Sequence, residues 1–181
     1  MARQQTRAKT YKGSRAGRRR ITTGATIVGV VVVAAAIAWF AYQAAANRPG
    51  EQLPDLGNEH IQTASDPHVA YNSDPPTSGP HLPYIAPWGI HTRPIPPELQ
   101  VHNLEDGGVV VQFSCECPEL AEKLRGIVRK YDKQVILAPY PTMKTRIALT
   151  AWTRLDRFDE FDEKRIVRFI DAYRGIDHHK R

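Results

Sequence analysis

Five of the seven histidines, at positions 60, 68, 81, 91 and 102, fall within 43 residues, and Glu105 and Asp106 follow the last of them closely. Imidazole suits zinc, copper, iron or nickel, and a carboxylate adds an oxygen donor. The cluster predicts a transition-metal site, copper or zinc by preference, drawn from His60, His68, His81, His102, Glu105 and Asp106. His91 is the weaker member and is left out of the set. His102 and Glu105 stand at i and i+3, so one helical turn would put both on one face. The spacing is similar to the H-x-x-E-H pattern of one zinc-protease class, but Asp106 replaces the second His and Gly107-Gly108 end a helix at once. Protease chemistry is therefore not expected.

Cys115-Glu116-Cys117 is a second candidate. It lies between a predicted strand and a predicted helix, where a thiolate gains from the helix N-terminus. A pair at i and i+2 departs from the C-x-x-C redox spacing, which leaves a labile disulfide, a soft-metal pair or a thiol oxidoreductase site open. Tyr140-Pro141-Thr142 is reminiscent of the proline loop that faces the cysteines in thioredoxin-like folds. No Gly-rich phosphate loop and no G-x-S-x-G elbow is present. The residues identify no reaction, and a binding protein is expected rather than an enzyme.

The formal charge of +6 divides unevenly along the chain. Residues 1–20 carry eight of the 25 Lys and Arg and no acid, so the rest is slightly acidic. The basic charge sits in an arm beside an apolar run rather than on a folded face, which excludes a nucleic-acid-binding domain. Residues 21–46 carry no charge and are long enough at about 1.5 Å per residue to cross a ~30 Å hydrocarbon core. They predict one transmembrane helix in the cell membrane. The arginines before it keep the N-terminus cytoplasmic and place the remainder outside. A cleaved signal peptide ending at Ala44-Ala45-Ala46 and a twin-arginine signal at Arg19-Arg20 are the alternatives.

Residues 47–57 read as a polar linker and 58–175 as the extracytoplasmic domain, with 176–181 as a disordered tail. Nine prolines in residues 67–97 exclude regular structure there, although Tyr71, Tyr84, Ile85, Trp88 and Ile90 would anchor the stretch on the domain. With Tyr84 and Trp88 it also offers a docking loop, so a structural or interaction subunit with a membrane-protein partner is an alternative function. Val109-Val110-Val111-Gln112-Phe113 predicts a strand buried on both faces. Pro118 opens an amphipathic helix with Leu120, Leu124, Ile127 and Val128 on one face. Strands follow over 134–138 and 146–152, and their short link favours a hairpin between them. Asp159 is the expected cap of a last helix that Gly175 stops. The order β-α-β-β-α specifies an α+β domain with a small sheet.

The stretches YNSDPPTSGPH at 71–81, VHNLEDGGVV at 101–110, VILAPYP at 135–141 and IALTAW at 147–152, with APWG at 86–89, resemble a bacterial family of membrane-anchored proteins classed as a domain of unknown function. The resemblance covers residues 56–175 and implies an extracytoplasmic domain behind one N-terminal span, with no activity to carry over. The family pattern has His where this chain has Asp106. That difference weakens an all-imidazole copper site and leaves mixed nitrogen and oxygen coordination.

Overall fold

The computed structural model describes residues 15–179 and, within the first helix, the side chains of residues 27–43. The predicted basic arm at 1–20 thus lies outside the described residues except for the backbone of 15–20. The chain divides into two compact units, one ending at Arg48 and one beginning at Pro49.

The first unit is one helix, α1 (Arg15–Ala46). Its described side chains expose apolar groups all round: Val28, Val31, Ile37, Trp39 and Phe40 are each about 60% exposed or more. Among the described residues, no helix is long and apolar enough to cross a membrane.

The second unit carries a six-stranded sheet and three helices. The strands are β1 (Glu51–Gln52), β2 (Gly89–Ile90), β3 (Val109–Phe113), β4 (Val135–Pro139), β5 (Ile147–Ala151) and β6 (Arg154–Phe158). Their spatial order is β1-β6-β5-β3-β4-β2. The mixed α+β class follows. The expected hairpin between the strands at 134–138 and 146–152 does not form: β3 lies between them, parallel to β4 and antiparallel to β5. The hairpin is instead β5–β6, turned at Thr153 with φ of 58°. Residues expected as a polar linker also enter the sheet, because β1 pairs with β6, and within the proline-rich stretch expected to hold no regular structure β2 pairs with β4.

Alternation along β3 sets the layers. Val109 and Val111 pack with α3 (Pro118–Val128) and α4 (Glu163–Tyr173), through Leu124, Ile127, Ile166, Phe169 and Ile170. Val110 points the other way and packs with Ile136, Trp152, Ala86, Ile95, Val101 and Leu104. All three valines are fully buried, so the strand is covered on both faces, as its unbroken β-branched run predicts. The α4 cap is Asp162, which accepts from the Arg165 N–H at 3.0 Å, and not Asp159, whose carboxylate accepts from the Arg146 N–H instead.

The second face is covered by a helix not expected from the sequence, α2 (Pro97–Glu105), and by the proline-rich segment. Pro97 starts α2 where a missing N–H is harmless. The segment is ordered through side chains rather than a ladder: Tyr71 donates to the Pro80 carbonyl at 2.6 Å, Tyr140 donates to Asp74 at 2.6 Å, and the Leu56 N–H donates to Ser78. Residues 75–82 are buried throughout. Trp88 packs on this core against Gly108, whereas Tyr84 stays 55% exposed.

Candidate metal centre

His81 belongs to the buried stretch at 75–82 and is itself 0% exposed. A parallel bridge joins it to His60: the Ile61 N–H donates to the His81 carbonyl at 2.8 Å, and the His81 N–H donates to the Glu59 carbonyl at 2.9 Å. His102 and Glu105 come from the last turn of α2, at the i, i+3 spacing read in the sequence. The helix must stop there, since Gly107 has φ of 76° and a Cβ on Gly108 would lie 2.4 Å from the Asn103 carbonyl oxygen.

These elements bring three imidazoles together, with ring centroids 5.0 Å apart for His60–His81, 5.1 Å for His81–His102 and 5.3 Å for His60–His102. One ligand atom from each of His60, His81, His102 and Glu105 lies within 4.8 Å of the others, and the group could hold a metal ion. The Glu105 carboxylate, fully buried, is the centre: its Oε2 is 3.0 Å from His81 Nε2 and 3.9 Å from His60 Nε2. Zinc bonds of about 2.0–2.2 Å in a tetrahedron separate ligand atoms by roughly 3.3 Å, so the spacing is of the right size and His60 must move inward. His60 can do so, with 44% of its side chain exposed.

Hydrogen bonding orients the ring at the core of the site. His81 Nδ1 is 2.8 Å from the Gly79 carbonyl oxygen, which can only accept, so Nδ1 carries a hydrogen. Nε2 then faces Glu105 Oε2. Two acceptors 3.0 Å apart require a proton or a cation between them. Glu105 Oε1 is held from the far side by Asn58, which donates from Nδ2 at 2.6 Å. His102 Nδ1 is buried without a hydrogen-bond partner. Burial holds the His102 pKa below the ordinary imidazole value, against the pull of Asp106 and Glu105, so the ring is kept in its neutral, ligating form.

Of the other residues read from the sequence, His68 is elsewhere: its Nδ1 donates to the Val69 carbonyl, its ring packs 5.1 Å from Tyr71, and its Nε2 lies 3.9 Å from Glu98. His91 donates to the Pro87 carbonyl. Asp106 sits at the rim and joins a second group with His102 and His179. Cys115 and Cys117 are bonded to each other and pack on the α3–α4 core, beside a cleft of about 640 Å³ that Arg125, Pro139 and Pro141 also line.

The chain belongs to the DUF3105 family of proteins of unknown function. The family model matches residues 60–180, so the DUF3105 region opens on His60 and takes in every residue of the cluster except Asn58. No curated protein and no solved structure matches the chain.

Sequence reasoning missed two contributors to this DUF3105 site. Asn58 gave no signal, because an Asn ahead of a loop reads as turn chemistry. His179 belonged to a residue pair set aside as part of a disordered tail, yet its Nε2 is 3.4 Å from Glu105 Oε2 and 3.6 Å from Asp106 Oδ1. The tail is tied down at His178, whose N–H donates to the Glu105 carbonyl at 2.8 Å and whose ring stacks on Trp152.

Proposed function

We propose that this protein is a membrane-anchored, extracytoplasmic metal-binding protein that holds one zinc or copper ion through His60, His81, His102 and Glu105. The observation that carries the reading is the facing pair of acceptors, His81 Nε2 and Glu105 Oε2, in a fully buried setting. A divalent cation answers that need better than a proton, because His60 and His102 bring further ligand atoms within 4.8 Å of the pair. Three imidazoles and one carboxylate are borderline donors that suit zinc or copper(II) over magnesium or calcium. The orphaned Nδ1 of His102 supports the same reading, since buried polar atoms ordinarily find a partner.

The anchor rests on sequence and on the surface of α1. The arginine-rich arm precedes an uncharged stretch, and the described part of α1 exposes a continuous apolar surface unfavourable in water. An outward domain meets the metal-exposed side of the membrane.

Two measurements test the proposal. Protein extracted in mild detergent and purified without an affinity tag should carry stoichiometric zinc or copper, lost in the His81→Ala, His102→Ala double variant. Metal-free protein whose melting temperature stays unchanged on adding either ion would overturn the site. For the anchor, the chain should resist alkaline carbonate washing of membranes, and protease added outside should remove the region after Pro49. Release by carbonate would refute it.

A further inference from the structure

His179 is oriented as metal ligands are, although it lies remote in sequence from the rest of the cluster. Its Nδ1 is 2.8 Å from Asp177 Oδ1, and the same oxygen accepts from the His179 N–H at 2.9 Å. A carboxylate on Nδ1 fixes the tautomer with its hydrogen there and leaves the Nε2 lone pair for an ion, the arrangement in which histidines bind metals in proteins. Nε2 itself lies 3.4 Å from Glu105 Oε2 and 3.6 Å from Asp106 Oδ1, with the His102 ring centroid 6.0 Å away. The segment bearing it is docked on the last turn of α2. The Gly175 N–H donates to the Gly107 carbonyl at 2.8 Å and the His178 N–H donates to the Glu105 carbonyl, so one residue holds both the segment and the centre of the cluster. Gly107 is needed for this approach, because a Cβ there would come within 2.8 Å of the Ile176 backbone.

We propose that residues 175–179 form a detachable ligand arm, in which His179 adds a fifth donor to the zinc or copper ion and thereby couples metal binding to docking of the arm. The inference rests on the metal reading above. His81 and Glu105 are fully buried, whereas the side chains of His60 and His179 are 44% and 43% exposed, so these two guard the open side of the site. An ion entering or leaving exchanges ligands on that side first. Linkage is reciprocal: an ion that gains affinity from the arm must hold the arm down by the same factor.

The test uses the full-length protein in detergent with Zn²⁺ or Cu²⁺, each added alone, and reads affinity by chelator competition and amide exchange across 175–179. In the wild type the ion should slow exchange of the Gly175 and His178 amides. His179→Ala should weaken binding roughly 10–100-fold and abolish that slowing, while the ion still binds at the remaining four residues. Asp177→Asn should shift both readouts the same way by less, which a merely structural arm would not do. Wild-type affinity in His179→Ala, with exchange at 175–179 indifferent to metal, would overturn the arm and leave the four-residue site standing. A wild type that binds neither ion would overturn both.

Discussion

Replacing Glu105 with Gln separates metal binding from folding. The Gln amide oxygen can still accept from Asn58, and its NH₂ can donate to His81 Nε2, so the 2.6 and 3.0 Å contacts around a wholly buried side chain keep compatible partners. Without metal the variant should therefore lie within about 2 kcal/mol of the wild type, the difference between neutral and charge-assisted hydrogen bonds. Glu105→Ala, by contrast, strips both partners and should cost about 3–5 kcal/mol. With zinc at about 100 times its dissociation constant, the wild type gains about 2.7 kcal/mol. For a unit of this size, at roughly 3–5 °C per kcal/mol, its Tm rises by about 8–14 °C. Loss of the carboxylate that raises the dissociation constant about 100-fold leaves only about 0.4 kcal/mol at the same zinc concentration, a shift under roughly 2 °C. Thermal melts with and without zinc read both quantities. A Gln variant that keeps the full zinc shift would refute Glu105 as a ligand. One that melts far below the wild type before zinc is added would make Glu105 a structural ion partner instead.

His68→Ala should leave zinc affinity within about twofold of the wild type by chelator competition, because its ring is spent on Val69 and Tyr71 and not on the cluster. Asn103→Ala should cost about 2–6 kcal/mol in a denaturant melt: the buried amide both accepts from the Ala86 N–H and donates to the Ala86 carbonyl, each at 2.9 Å, and truncation orphans both groups. Burial pushes the Tyr131 phenol up to about 12 and raises Tyr71 and Tyr140 further. A raised folded-state value means that the unfolded chain releases its phenol protons first. The stability from these tyrosines is present below about pH 10 and is lost as pH climbs through the folded-state values. Phenolate absorbance rising for all seven tyrosines at an ordinary phenol midpoint, with the fold intact, would refute it.

Strand β3 and the start of α3 are legible locally, although the α4 cap is Asp162 rather than the expected Asp159, and what depends on remote partners is not legible. The β-branched run of β3 and the Pro118 start of α3 announce themselves within a few residues. Strand partnership is different in kind. Residues 139–147 are short enough for a hairpin, yet β3 supplies a neighbour with three fully buried valines to both β4 and β5, and burying its two faces outweighs the convenience of the short link. The helix α2 carries no periodic apolar signal, for a reason tied to the site itself. Its buried residues are Gln100, Val101, His102, Asn103, Leu104 and Glu105, so polar groups occupy positions where helical periodicity looks for apolar ones.

That mismatch is informative when set beside the hydrogen bonds. Gln100 donates to the Ile95 carbonyl, Asn103 clamps Ala86, and Glu105 takes Asn58 and His81, so each buried polar side chain of α2 ties down a piece of irregular chain. The proline-rich segment cannot order itself through a backbone ladder and borrows these groups instead. His102 is the exception, with a buried Nδ1 that ties down nothing. In a helix whose other buried polar groups all have partners, the one unmatched nitrogen lies beside the carboxylate and the imidazoles that an ion would join. The histidine clustering legible in the sequence therefore marks the right region, but the hydrogen-bond partners separate His102 from His68, which finds its own in Val69 and Glu98.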